Sequence, residues 1–389
     1  MGKPSKHGSQ IDGLPWPRIL LHKGHCRGYI ISANRLTPKK CDLCTMFENK
    51  EKTSIDKLGE FGLIDHLTSV IELSSQHTVL GTGDDGALLD AKGKQIVIST
   101  DSLVENVHFD MMYTPLKHLG YKAAVANFSD ICAMNALPEQ ITVSISFSSK
   151  YTLEAIEELY SGILIACKKY KVDLVGGDTC TIPSGLVINV TAIGYQDAGK
   201  EVKRGGAKEG DLLCVTGDLG GAFMGLQLLE REKRVFLENK EMKPDLQDHD
   251  YIVGRQLRPE ARIDLVNMLA EHEIIPTSMI DVSDGLSSEI FHLSKYSDVD
   301  FAVYEDKLPI DQDTYNMAME FGIDPTTAAL NGGEDYEILF TIPQSDYDKV
   351  KNSQDISVIG YAREKGMKNQ LISKSGNVHD LQAQGWQHE

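Results

Sequence analysis

Residues 95–101, Gln-Ile-Val-Ile-Ser-Thr-Asp, combine the apolar run of a buried strand with a carboxylate at its end. An Ala-rich apolar stretch with helical spacing follows at 119–134 and contains Asp130. The other predicted elements are strands at 141–147, 186–195, 212–216, 279–282, 300–304 and 337–342, and helices at 61–73, 152–170, 258–271, 286–295 and from 222. This alternation predicts an α/β or α+β protein in two halves.

Length and charge narrow the class of protein. A chain of 389 residues suggests two domains, and 25% charged with 41% hydrophobic residues is ordinary for a folded protein. The net charge of −18 disfavours nucleic-acid or anionic-membrane partners, so a phosphorylated ligand would need metal ions to supply positive charge. No apolar run is long enough for a membrane span, and single Cys residues in apolar segments indicate reduced thiols. We therefore expect a cytoplasmic protein.

The first 45 residues differ from the rest, because they hold eight of the 39 basic residues but only two of the 57 acidic ones. We expect a disordered or artefactual extension there. A polar, Gly-rich stretch at 200–211 separates the predicted domains, which span 54–199 and 205–389. Residues 231–250 are charged and are predicted to be a mobile loop or the tail of the preceding helix.

Acidic residues recur in Gly turns or next to predicted strands. These positions are Asp84 and Asp85, Asp101, Asp130, Asp178, Asp281 and Asp284, and Glu334 and Asp335. Each alone is also explained as a turn or a helix cap. Together they would repel one another unless divalent cations lie between them, and hard oxygen ligands indicate Mg²⁺. Carboxylate-bound Mg²⁺ bridging to phosphates points to phosphoryl transfer, with Arg204 as a phosphate contact or else a solvated surface residue.

In chain order, the motifs Gly-Asp84-Asp85-Gly, Ser-Thr-Asp101, Asn-Phe-Ser-Asp130, Gly-Gly-Asp178-Thr, Asp281-Val-Ser-Asp284-Gly and Gly-Gly-Glu334-Asp-Tyr-Glu closely resemble those of thiamine-monophosphate kinases. The resemblance spans about residues 54–389. It implies the two-domain aminoimidazole ribonucleotide synthetase-like fold, with N-terminal ATP- and Mg²⁺-binding domains that pair in a homodimer and a C-terminal α/β domain. It also implies transfer of a phosphoryl group from ATP to thiamine phosphate.

The resemblance also assigns roles to individual residues. The implied Mg²⁺ ligands are Asp85, Ser99, Thr100, Asp101, Asp130, Asp178, Asp281 and Asp284. The implied ATP contacts are Gly177, Asp178, Arg204 and Ser283, and the implied thiamine phosphate contacts are His108, Glu334 and Trp386. No residue is expected to act as a nucleophile, and Asp130 and Asp178 are expected to act through the metal.

Other functions remain open from the sequence. A related synthetase that uses ATP, similar to aminoimidazole ribonucleotide synthetase, would use the same carboxylates. A nucleotide sensor without catalytic activity would bind ATP but release no ADP. A metal phosphatase would release free phosphate without any acceptor.

Overall fold

The computed structural model of the protein describes residues 27–28, 39–40, 78–80, 84, 87–91, 93–148, 150–242 and 244–383. The chain divides into two compact units, Met1–Ile71 and Glu72–Glu389. In the first unit the short strands Arg27–Gly28 and Lys39–Lys40 pair antiparallel. The predicted helix at 61–73 and nearly all of the predicted extension at 1–45 lie outside the described residues. All the other described residues belong to the second unit.

A six-stranded sheet forms the first half of this unit. Its strands are β1 (Thr78–Leu80), β2 (Ala87–Ala91), β3 (Lys94–Val104), β4 (Leu137–Phe147), β5 (Asp173–Thr181) and β6 (Leu186–Asp197). Their order is β1-β2-β3-β6-β4-β5. Strands β4 and β5 are parallel and are connected through helix α2 (Leu153–Tyr170), whereas the other pairs are antiparallel.

Helix α1 (Leu116–Ala133) packs against one face of this sheet, and 14 of its 18 residues are buried. One side contacts α2 and the sheet through Phe128 and Ile131, which belong to the core of the first half. Cys132 and Ala133 instead pack into a core cluster with residues of the second half. Because α1 is covered on both sides, its few polar side chains must be paired within the protein.

A seven-stranded sheet forms the second half. Its strands are β7 (Leu212–Thr216), β8 (Ser278–Asp281), β9 (Asp300–Tyr304), β10 (Ile338–Ile342), β11 (Ile356–Arg363), β12 (Gln370–Ile372) and β13 (Val378–Asp380), in the order β8-β10-β7-β11-β9-β12-β13. Only β9 and β12 are parallel among these pairs.

Helices cover this second sheet. They are α3 (Gly221–Glu238), α4 (Asp250–Leu257), α5 (Ile263–Glu271), α6 (Leu286–Ser297), α7 (Gln312–Phe321), α8 (Pro325–Asn331) and α9 (Tyr347–Val350). Short 3₁₀ turns occur at Glu305–Lys307 and Gln344–Asp346. In the part of the chain that the structure describes, we find no helix that combines the length and apolar character needed to cross a bilayer.

The mixed α/β class and most of the predicted elements are confirmed, with three corrections. The strand predicted to end at Thr100 continues to Val104, so Asp101 lies inside β3 rather than beyond its end. The Gly176-Gly177 pair, predicted to follow a short strand that begins at Asp173, is itself part of β5, where Gly177 passes close to β4. The helix predicted from Arg258 begins only at Ile263, because Pro259 disfavours helical geometry at the residue before it.

The segment 231–250 is a helix tail followed by a folded connection. Helix α3 continues to Glu238, and α4 begins at Asp250. The buried Glu232 accepts a hydrogen bond of 2.8 Å from the backbone N–H of Asp245, which holds the connection against α3. Along the chain, the last strand of the first sheet ends at Asp197 and the first strand of the second sheet begins at Leu212, so residues 198–211 separate the two sheets in sequence. The domain boundaries themselves stay a prediction.

Candidate functional site

Four of the predicted carboxylates lie near one buried phenol, that of Tyr336, in the loop before β10. Burial raises the pKa of Tyr336 well above its usual range, and nearby negative charges raise the pKa further. The carboxylates that contribute are those of Glu334, Asp101, Asp281 and Asp130. Strand β3, helix α1, the end of strand β8 and the loop before β10 therefore bring acidic side chains to one region.

Asp130 is on the side of α1 that faces β3. The Ser99 hydroxyl donates a hydrogen bond of 2.5 Å to Oδ2 of Asp130, and Ser99 is only 8% exposed. This contact helps to explain how a carboxylate is tolerated in an apolar helix, since a buried charge requires a partner. Asp101 is two residues further along β3, so it points to the same face of the sheet as Ser99.

Asp281 ends strand β8 and is 2% exposed. Its Oδ2 accepts a hydrogen bond of 2.7 Å from the hydroxyl of Ser129, which is fully buried on α1. Neighbouring residues of α1, Ser129 and Asp130, thus contact carboxylates or hydroxyls from both halves of the unit. Burial also raises the pKa of the Cys132 thiol, and the charges of Asp281 and Asp130 contribute to this shift.

The loop that carries Glu334 is fastened to the loop that follows β8. The backbone N–H of Glu334 donates to the Ser283 carbonyl at 2.7 Å, and that of Tyr336 donates to the Val282 carbonyl at 2.9 Å. Gly333 is required for this approach, since a Cβ there would lie 2.5 Å from the Ser283 carbonyl oxygen. The backbone N–H of Asp284 donates to Glu289 at 3.2 Å.

The Glu334 side chain contacts two residues that sequence reasoning missed. The Lys122 ammonium lies 2.8 Å from Oε1 of Glu334, and the Gln256 amide donates to Oε2 at 2.7 Å. Lys122 is only 6% exposed within α1. An isolated lysine inside an Ala-rich apolar run was the signal that could have identified it, because a buried ammonium needs an anionic partner.

Thr100 and Asp178 lie on the opposite face of the six-stranded sheet from Ser99. Thr100 follows Ser99 in β3, so their side chains point to opposite faces of the sheet. The Thr100 hydroxyl is 2.9 Å from that of Thr191 on β6. Asp178 is exposed and is the register partner of Ser144, which in turn is the register partner of Asn189. Asn189 is the partner of Ser102, two residues after Thr100, so Asp178 shares the face of Thr100. The structure therefore separates these two predicted metal ligands from the carboxylates around Tyr336 within this chain. Gly177 is adjacent, and a Cβ there would lie 1.9 Å from the Val143 carbonyl oxygen.

Arg204, the predicted ATP contact, pairs with the first aspartate of the Gly-Asp-Asp-Gly motif. Its Nε lies 3.6 Å from Oδ1 of Asp84, and its backbone N–H donates to Oδ2 at 3.1 Å. The arginine side chain is 19% exposed, so the prediction of a fully solvated surface residue is wrong. The Asp84 side chain is 7% exposed and holds the linker at 204 against the first half.

His108 lies in the loop after β3, and its Nδ1 accepts a hydrogen bond of 3.0 Å from the backbone N–H of Val104. The same loop reaches α3 in the second half, where the Lys233 ammonium lies 2.7 Å from Asp110 and 3.3 Å from Glu230. The Lys233 ammonium also lies 5.6 Å from the centre of the Tyr113 ring. The charged segment from residue 231 onward therefore anchors the loop that carries His108.

A buried ionic network of Arg255, Asp335 and Glu337 holds the residues that follow Glu334. Arg255 donates to Oε1 of Glu337 at 2.9 Å, and Asp335 accepts hydrogen bonds from the backbone N–H groups of Gly220 and Ala222 at the start of α3. Burial is the main cause that raises the pKa of Asp335 to about 7. Asp335 was predicted only as part of a motif, and Arg255 was not identified from the sequence.

Two predicted residues, Asp85 and Trp386, lie outside the described residues. Within the described ranges, no three acidic, His or Cys side chains come close enough together to enclose a metal ion. The donors around Tyr336 nevertheless fit Mg²⁺ in kind, because they are carboxylate and hydroxyl oxygens. Mg²⁺ commonly retains waters and binds substrate phosphates, so a complete protein cage is not required.

Part of the chain matches a known family. Residues 83–196 match the family described as AIR synthase related protein, N-terminal domain. This segment contains α1 and strands β2–β5 together with nearly all of β6, and it thus includes Asp101, Asp130 and Asp178.

Longer similarities extend over both halves. The thiamine-monophosphate kinase of Bacillus subtilis (strain 168) is 34% identical over 338 residues, which cover 85% of this chain and 99% of that protein. The thiamine-monophosphate kinase of Aquifex aeolicus (strain VF5) is 32% identical over 302 residues, covering 78% and 92%. The solved structure of AaThiL complexed with AMPPCP and TMP has 30% sequence identity and a TM-score of 0.73, covering 87% of this chain and 99% of that one.

Proposed function

Since this chain belongs to the thiamine-monophosphate kinase family, we propose that it transfers the γ-phosphoryl group of ATP to thiamine phosphate, giving thiamine diphosphate and ADP. The observation that carries the proposed chemistry is that α1 holds Asp130 beside Ser99 of the first half and Ser129 beside Asp281 of the second, in a region where four carboxylates raise the pKa of Tyr336. In a protein of net charge −18, such a region attracts cations, and phosphoryl transfer depends on charge neutralisation and positioning. The complex of a relative with AMPPCP and TMP supports the choice of both substrates.

Mg²⁺ is the cofactor in this proposal. When bound, it would offset the negative charge of the phosphates that the reaction brings together. The residues of this chain that would hold it are Asp85, Ser99, Asp101, Asp130, Asp281 and Asp284. Thr100 and Asp178, on the opposite face of the sheet, would contribute only across a boundary with a second copy. Ser99 and Ser129 orient two of these carboxylates, those of Asp130 and Asp281, through the hydrogen bonds described above. Holding the carboxylates in place before substrates bind lowers the cost of reorganisation during the reaction.

The remaining predicted residues would bind the two substrates. ATP would contact Gly177, Asp178, Arg204 and Ser283, and thiamine phosphate would contact His108, Glu334 and Trp386. A phosphate oxygen of thiamine phosphate attacks the γ-phosphorus of ATP in line, and the bond from that phosphorus to the bridging oxygen of ADP breaks. No covalent intermediate on the protein is part of this proposal, so positioning of the two anions accounts for the catalysis.

A homodimer is part of the same proposal. The face of the six-stranded sheet that carries Thr100 and Asp178 has short polar side chains, including Ser102, Ser144 and Thr191, and Thr100, Ser102 and Asp178 are exposed. A second copy covering this face would bring Gly177 and Asp178 to a subunit boundary. Sedimentation equilibrium at several protein concentrations tests this part separately.

The proposed activity is tested by incubating the purified protein with ATP, Mg²⁺ and thiamine phosphate and measuring thiamine diphosphate by chromatography. We expect product only when all three are present, and none with excess EDTA. Asp130→Asn should abolish turnover while the circular dichroism spectrum stays that of the wild type. Asp197→Asn, at an exposed position, is the matched control and should retain activity.

The same incubation separates the alternatives. ADP release without thiamine diphosphate would contradict the choice of acceptor and favour a related synthetase. Free phosphate in the absence of any acceptor would favour a phosphatase, and ATP binding without turnover would favour a sensor. Full activity of Asp130→Asn would contradict the role given to that carboxylate.

A further inference from the structure

Lys122 is a buried cation in the middle of the apolar helix α1. It is 6% exposed, and its ammonium lies 2.8 Å from Glu334 and 2.9 Å from the carbonyl oxygen of Gln256. Burying a long charged side chain costs free energy both in desolvation and in lost rotamer freedom. An uncharged residue would fill the same position without these costs, so the position of Lys122 calls for an explanation beyond packing.

The contacts of Lys122 fix the direction of the Glu334 carboxylate. Lys122 contacts Oε1, whereas Gln256, which is 5% exposed, donates to Oε2. The backbone of Glu334 adopts a left-handed conformation with φ of 65° and is held by its hydrogen bond to Ser283. Backbone and side chain are therefore both restrained, each from a different element of the fold.

The Glu334 side chain remains partly open to a ligand. It is 31% exposed, compared with 8% for the Lys122 side chain. Each carboxylate oxygen has two lone pairs, and the two protein donors use only one on each oxygen. Glu334 therefore keeps acceptor capacity on its open side. Because Lys122 offsets its charge, recognition at this position depends on the direction of hydrogen bonds more than on net charge.

We propose that Lys122 is a positioning residue for the acceptor substrate, acting through Glu334 rather than touching the reacting phosphates. The proposal rests on the proposed function, because Glu334 contacts thiamine phosphate only in that reading. Lys122 holds the carboxylate so that its free lone pairs accept hydrogen bonds from N–H donors on the heteroaromatic part of thiamine phosphate. Gln256 assists by restraining the second oxygen.

A structural role alone predicts a different outcome. Lys122 also connects α1 to α4, and a lysine that only joined the two halves would affect stability and both substrates alike. A lysine that orients Glu334 would affect the Michaelis constant of thiamine phosphate selectively. Its effect would also disappear once Glu334 can no longer act as a carboxylate.

The experiment measures KM for each substrate, kcat and thermal stability in the full-length enzyme. We expect Lys122→Met to raise KM for thiamine phosphate at least about tenfold, with KM for ATP changed less than about twofold. Lys122→Arg should recover part of the loss. The matched control is Lys117→Met, an exposed lysine on the same helix, which should leave both Michaelis constants unchanged.

A double-mutant cycle with Glu334→Gln tests the coupling. If Lys122 acts through Glu334, the double variant should be no worse for thiamine phosphate than the worse single variant. If Lys122→Met does not fold, Gln256→Met provides the second test and should raise the same KM severalfold. Equal rises in both Michaelis constants, an unchanged KM for thiamine phosphate, or additive effects in the cycle would overturn the inference. Absence of thiamine diphosphate with the wild type would instead overturn the proposed function.

Discussion

Removal of the Ser129 hydroxyl tests the contact between the two halves most directly. In Ser129→Ala, Asp281 loses a hydrogen bond of 2.7 Å in a region where the two residues are 0% and 2% exposed. Hydrogen bonds to charged groups contribute about 1.5–3 kcal/mol, and the missing oxygen leaves too small a void for a large cavity cost. We therefore expect the free energy of unfolding to fall by about 2 kcal/mol.

The assay is urea denaturation followed by circular dichroism, performed in EDTA so that no cation replaces the lost donor. The matched control is Ser375→Ala, which also removes a hydrogen bond of a serine hydroxyl, in that case one accepted from the Asn377 amide at an exposed site. The control should lose less than about 0.5 kcal/mol, because water replaces the lost partner. Equal losses for the two variants, or no loss for Ser129→Ala, would refute the assignment of a buried charge-assisted bond.

Three further changes have defined outcomes. Because burial raises the pKa of Asp335 to about 7 from 3.8, its stabilising contribution is present below pH 4 and is lost as the pH rises towards 7. When the free energy of unfolding in urea is plotted against pH, Asp335→Asn should therefore be flatter than the wild type between pH 4 and 7, and parallel plots would contradict this. Gly177→Ala should lower the melting temperature and the activity, since its Cβ would lie 1.9 Å from a carbonyl oxygen of β4, and a variant as stable as the wild type would disprove this clash. Lys233→Met should raise KM for thiamine phosphate severalfold, because it releases Asp110 and with it the loop that carries His108. Lys240→Met, at an exposed position, should leave this KM unchanged, and equal kinetics for the two variants would rule out that Lys233 anchors the loop.

The sequence predicted the elements whose signal is local. Strand β7 at 212–216 and strand β9 at 300–304 have the predicted bounds, because a short apolar run flanked by polar residues defines each of them. Thr152 caps α2 as its residue type indicates, accepting a hydrogen bond from the backbone N–H of Ala155. Errors occurred where tertiary contacts decide, as in β5, where Gly177 continues a strand because β4 lies close beside it.

The candidate site was predictable in composition but not in arrangement. Motif spacing identified Asp130 and Asp281, but it could not show that Ser129, the residue before Asp130, donates a hydrogen bond to Asp281. The face on which Thr100 and Asp178 lie follows from strand register, which a single sequence does not specify. Lys122 was overlooked since its partner is more than two hundred residues away along the chain.

Several side-chain contacts join the half of the protein that contains the first sheet to the half that contains the second. Together they restrict which relatives can be combined in a hybrid protein. The pairs are Lys122 with Glu334, Ser129 with Asp281, Asp110 with Lys233, and Tyr170 with Glu260. The Gly-rich segment 200–211 would be a convenient crossover point for hybrids made from two relatives. A hybrid joined there would inherit one member of each pair from each parent, so viable chimeras require parents whose pairs match, whatever their average identity.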